Sequence, residues 1–122
     1  MPFDGKGFVP ESELQAAIRL LERGLARVTA GYCRLSFYRP KRWWRSAPQY
    51  CMAGSLFWSD AGGWEKGSWQ YHLVAEKFLH HESGESLVIF GSRMFARRKV
   101  IKAYKRALQA AYIVAKEEVN AF

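Results

Sequence analysis

The spacing of apolar residues changes several times along the chain. Between 12 and 29, Leu14, Ile18, Leu21, Leu25 and Val28 recur three and four residues apart, which is one face of an amphipathic helix. Ser12 stands where an N-cap belongs, and Gln15 three residues on completes a capping box. Gly24 weakens this helix by up to about 1 kcal/mol relative to Ala, and Gly31 ends it. From Tyr32 to Tyr38 the period drops to two. Cys33, Leu35 and Phe37 point one way, Arg34 and Ser36 the other, which predicts a half-buried strand stopped by Pro40. Pro48 closes the next loop. Gln49 to Trp58 is almost entirely apolar or small; it suits a fully buried strand or a short buried helix, and the strand is preferred. Asp60-Ala61-Gly62-Gly63 reads as a turn.

Trp69 to Leu79 fits both periods. Trp69, Tyr71, Leu73 and Ala75 suit a strand, while Trp69, Leu73 and Phe78 partly suit a helix. The turn chemistry of Glu82-Ser83-Gly84-Glu85 and the β-branched run Leu87-Val88-Ile89-Phe90 behind it favour a hairpin across 84–85. The final stretch is unambiguous. Ile101, Tyr104, Leu108, Ala111, Ala115 and Val119 form a stripe at helical spacing, and no Gly or Pro interrupts 93–119. The predicted fold class is therefore α+β: a small antiparallel sheet with an N-terminal helix and a long C-terminal helix packed on it. Residues 1–11 read as a flexible arm and 12–122 as a single globular domain.

Composition adds a limit. In 122 residues, 49% are hydrophobic and 16% aromatic, too apolar for a disordered tail and too short for an enzyme with a separate cofactor domain. No apolar stretch approaches the roughly 18 residues of a membrane span. Met1 to Pro10 lacks the apolar core of a signal peptide. The expectation is a soluble cytoplasmic protein. Two cysteines, Cys33 and Cys51, are fewer than a secreted disulfide scaffold carries. Two buried thiols or one disulfide would each account for them.

Charge changes the picture more. The chain carries 19 Lys and Arg against 11 Asp and Glu, a net charge of +8, and the excess is clustered. Between Arg23 and Ser59 no acid occurs, and seven bases do: Arg23, Arg27, Arg34, Arg39, Lys41, Arg42 and Arg45. Between Ser86 and Lys116 there is again no acid, against eight bases: Arg93, Arg97, Arg98, Lys99, Lys102, Lys105, Arg106 and Lys116. At about 100° per residue, Arg98, Lys99, Lys102, Lys105 and Arg106 share one arc of the last helix, opposite its apolar stripe. Like charges four apart cost a few tenths of a kcal/mol in an isolated helix, and an adjacent polyanion removes that repulsion. In the run Arg39-Pro40-Lys41-Arg42-Trp43-Trp44-Arg45, cations alternate with indoles. Phosphates attract the cations, and an indole face stacks on an unpaired base.

Candidates for bond-making chemistry are thinner. His72, His80, His81 and the two cysteines lack the paired spacing of a zinc site. Cys51 ahead of the small run Met52-Ala53-Gly54-Ser55 is a conceivable nucleophile for a small Cys/His hydrolase. Glu82 and Glu85 beside His80 and His81 are a conceivable acid–base cluster.

Two architectural resemblances cover parts of the chain. The order helix–strands–helix is similar to that of double-stranded-RNA-binding domains. That likeness would set Arg97-Arg98-Lys99 where such domains place phosphate-binding lysines, although the family's Gly-rich approach is missing. Trp69 to Leu108, with Phe90-Gly91 ahead of Ala103-Tyr104, resembles the three-strand-plus-helix DNA-binding domains of plant transcription factors and phage integrases. The expected function is a small non-enzymatic protein without cofactor or metal that binds nucleic acid. Its contacts would be Arg39, Lys41, Arg42, Trp43, Trp44, Arg45, Arg98, Lys99, Lys102, Lys105 and Arg106. The rival is an inhibitor of phage type, anti-CRISPR-like, that covers an acidic surface of a nucleic-acid-handling complex.

Overall fold

The computed structural model describes residues 12–34, 48–57 and 69–120, and 80% of these are helical. The five helices are α1 (Glu13–Ala30), α2 (Met52–Phe57), α3 (Trp69–Ser83), α4 (Leu87–Ser92) and α5 (Arg97–Asn120). There is no sheet among the described residues, so the predicted α+β class is wrong. The single trace of extended pairing is one parallel bridge between Tyr32 and Tyr50.

α1 forms as its pattern requires. The Ser12 hydroxyl accepts the Gln15 backbone N–H at 3.1 Å, and Leu14, Ile18, Leu21 and Val28 are buried. α1, α3 and α5 each pack on the other two, while α2 lies against α1 and α4. α1 and α5 run antiparallel: Arg97 Nη2 donates to Thr29 O at one end of the seam (2.8 Å), and Tyr112 Oη donates to Glu22 Oε1 further along (3.0 Å). Small residues let the two axes approach. Ala16, Ala17 and Gly24 of α1 are buried, as are Ala103, Ala107 and Ala111 of α5. A Cβ on Gly24 would stand 2.5 Å from Tyr104 Oη, so this glycine weakens the helix in order to seat the Tyr104 ring.

Three expected strands turn out otherwise. Within Gln49–Trp58, Met52–Phe57 is a helix. Met52 to Leu56 are all buried, so no periodicity could mark it. Trp69–Leu79 and the first half of the expected hairpin belong to α3. Gly84, at φ 75°, gives its N–H to His80 O and ends that helix. This is the left-handed C-terminal cap, which uses the same residue types as a hairpin turn. Leu87-Val88-Ile89-Phe90 becomes α4, capped by the Ser86 hydroxyl, which accepts the Ile89 N–H. With no partner strand, β propensity has nothing to act on. α5 begins at Arg97, later than the uninterrupted stretch suggested, because Arg93–Ala96 make a turn with Phe95 at φ 59°. The strand expected over Tyr32–Tyr38 is described only to Arg34. The arm 1–11 and the turn 60–63 lie outside the described residues. Without strands, the likeness to double-stranded-RNA-binding domains and to three-strand DNA-binding domains falls away. Among the described residues no helix is long and apolar enough to cross a membrane.

Candidate cationic face on the last helix

The 3.6-residue period divides α5 into two surfaces. Val100, Ala103, Tyr104, Ala107, Leu108 and Ala111 are buried against α1 and α3, and Ile101 is half-buried. Arg98, Lys99, Lys102, Lys105 and Arg106 are exposed on the other side. None of the five forms an ion pair with a described carboxylate. No acid occupies the first turn of α5, although the positive end of the helix dipole favours one there.

Lys99, Lys102 and Arg106 line a hollow of about 260 Å³ together with Ala103, Glu82 and Phe90. Phe90 from α4 is half-buried and supplies an aromatic surface. Glu82 supplies one carboxylate, which lies 3.6 Å from His81 Nδ1. A second hollow of about 420 Å³ shares Glu82 and has an apolar floor of Val74, Phe78 and Ala110 between α3 and α5.

The remaining basic residues are used differently. Arg93 is held by Glu85 in a two-pronged pair, with Nε and Nη2 each 2.7 Å from a carboxylate oxygen. That hydrogen bond pulls the Glu85 carboxyl below its ordinary value. Arg97 caps the end of α1 through Thr29 O. Arg27 is inside the protein: it is buried, donates Nη1 to Ser55 O at 2.8 Å and lies 5.7 Å from the centroid of the Tyr50 ring. Arg23 and Arg34 are exposed. Arg39, Lys41, Arg42, Trp43, Trp44 and Arg45 lie outside the described residues, so the structure does not bring this run to the α5 face or separate it from that face.

Of the residues considered for bond-making chemistry, Cys51 and His72 are in the core. Cys51 is buried, and its Sγ accepts the Gly54 N–H at 3.2 Å. His72 is buried edge-on against Phe57, ring centroids 5.2 Å apart at 72°. Glu85 is turned to Arg93 and away from acid–base work with His80 and His81. Among the described residues no three or more His, Cys, Asp or Glu gather in a way that could hold a metal ion.

One feature was missed in the sequence. The turn between α4 and α5 exposes Met94 and Phe95, the latter 88% exposed. The signal was present in Arg93-Met94-Phe95-Ala96-Arg97, an apolar pair between arginines, but the expectation of a continuous helix hid it. The chain matches no protein-family model, no curated protein and no solved structure.

Proposed function

We propose that this protein binds nucleic acid through phosphate contacts from the outer face of α5. The observation that carries this reading is the row Arg98, Lys99, Lys102, Lys105 and Arg106, exposed together and unmatched by described carboxylates. From Arg98 to Arg106 the helix rises about 12 Å, so the five cations form one continuous row. Five phosphate contacts give a slope of log K against log salt of about −4.5 on duplex DNA. A slope near zero overturns the proposal. If the Arg39–Arg45 run joins the interface, the slope steepens beyond that value.

A second reading is a protein partner with an acidic surface, and Met94 and Phe95 favour it. Large exposed apolar side chains beside arginines are what interface hot spots are made of. The two readings separate on Phe95→Ala. A phosphate-bound complex keeps its salt slope in this variant, whereas a partner seated on Phe95 loses affinity by about tenfold or more.

A further inference from the structure

The two thiols that the sequence left unrelated each directly follow a residue of one backbone bridge. Tyr50 N–H donates to Gly31 O at 2.8 Å, and Cys33 N–H donates to Tyr50 O at 3.0 Å. Together these bonds define the parallel bridge Tyr32↔Tyr50. In a parallel ladder the next pair in register is Cys33 with Cys51. Neighbouring strands stand about 4.8 Å apart, and paired side chains leave the same face. A disulfide wants a Cα separation of roughly 4.4–6.8 Å. Both residues are thiols in this structure, Cys33 half-buried and Cys51 buried. The Tyr32 phenol senses both sulfurs: burial pushes it up to about 12, with charge at Cys51 and Cys33 adding to the rise.

We propose that Cys33 and Cys51 are a dithiol site that small-molecule disulfides, such as oxidised glutathione, convert to an intramolecular disulfide. The Cys33 thiolate, the more accessible of the two, attacks one sulfur of the reagent. This forms a mixed disulfide and expels one thiolate. Cys51, having given up its proton, then attacks the Cys33 sulfur and expels the second. Two protein thiols are oxidised and one reagent disulfide is reduced to two thiols. The Gly54 N–H contact to Cys51 Sγ, at 3.2 Å, competes with the attack. The bond would tie together the two ends of segment 34–50, which in sequence holds Arg39, Lys41, Arg42, Trp43, Trp44 and Arg45. The proposal stands whether or not nucleic acid is the partner.

The test equilibrates the full chain in mixtures of reduced and oxidised glutathione, both native and unfolded in urea, followed by alkylation and mass measurement. With only two cysteines in the chain, the readout is unambiguous. The native protein should lose two hydrogens, resist alkylation and yield a linked Cys33–Cys51 peptide. It should do so at a glutathione ratio at least about tenfold more reducing than the unfolded chain needs. Oxidation should also raise the thermal midpoint by roughly 10 °C. In Cys51→Ser the glutathione adduct should accumulate on Cys33. If that variant does not fold, the native-against-urea comparison decides alone. Two alkylated thiols throughout, a lasting adduct on Cys33 of the parent, Cys33-linked dimers, or no native advantage over urea would each overturn the proposal.

Discussion

Arg27 and Lys102 belong to the two acid-free stretches of the chain, and folding sends them in opposite directions. Arg27 ends inside the corner where α1, α2 and α5 meet, donating a hydrogen bond from Nη1 to Ser55 O. Its neighbour there is Tyr104, whose hydroxyl lies 2.5 Å from Ser55 Oγ and donates to Met52 O at 3.4 Å. Burial drives the Tyr104 phenol well above its ordinary value, while the Ser55 bond and the Arg27 charge pull it partly back. Lys102, two residues before Tyr104, stands in solvent with four like charges around it. The first region is a satisfied polar network that fixes how the helices dock. The second is a surface whose charges find no described match. A cluster of basic residues in sequence is therefore two different things, and only burial tells them apart.

The largest effect that probes this contrast is expected inside. Tyr104→Ala removes a fully buried ring from the α1–α5 seam and leaves Ser55 facing a cavity. A loss of about 3–5 kcal/mol is expected, read from the midpoint of urea unfolding. Unfolding at the parent's midpoint would mean that the seam is not where the stability lies. Gly24→Ala comes next. Helix propensity alone would gain about 1 kcal/mol. The new Cβ, however, meets Tyr104 Oη at 2.5 Å and Cε1 at 2.6 Å, and forcing such a contact costs about 1–3 kcal/mol. Destabilisation in the parent and stabilisation in the Tyr104→Ala background is the expected pair of signs. A double-mutant cycle measures it.

On the outer face the ranking reverses. Replacing Lys102, Lys105 and Arg106 by Ala should change stability by no more than about 0.5 kcal/mol each, with some relief of repulsion. It should shorten the salt slope on duplex DNA by about 2.7, three contacts at about 0.9 each. Equal loss on all DNA sequences is expected. An unchanged slope would detach binding from this helix face.

The same contrast explains what could be read beforehand. α1 was legible because Ser12 caps it and its buried positions are apolar. The outward set of cations on α5 was legible because Tyr104, Leu108 and Ala111 fix the inward side. The middle was not. α3 buries His72, Ala75 and Leu79. Counted as polar, His72 breaks the i, i+3, i+7 pattern, while Leu73 at 45% exposure imitates alternation. α2 is buried nearly all round, and α4 is too short to repeat. Arg27 stood in the sequence only as one of the clustered bases, because nothing local announces Ser55 and Tyr50 as its partners, and both sit far along the chain.

The smallest effect lies between the two regions, at Glu85 and Arg93. Arg93 is exposed and Glu85 half-buried, and the pair joins the start of α4 to the turn before α5. The hydrogen bond from Arg93 holds the folded Glu85 carboxyl below its ordinary 4.5. The pair's contribution is therefore fully present above that value and lost as pH falls through the lowered one. Glu85→Gln keeps the shape and removes the charge. The parent should be slightly the more stable near neutrality, and the two should converge at acid pH when urea midpoints are compared across the range. The same substitution frees Arg93, five residues ahead of Arg98. If α5 meets phosphates, the variant's salt slope should steepen by up to about 0.9. A cation held by an internal carboxylate would then become one available to the partner. A slope that stays the same while the stability difference follows the predicted pH course would place Arg93 outside the interface and set its edge at Arg98.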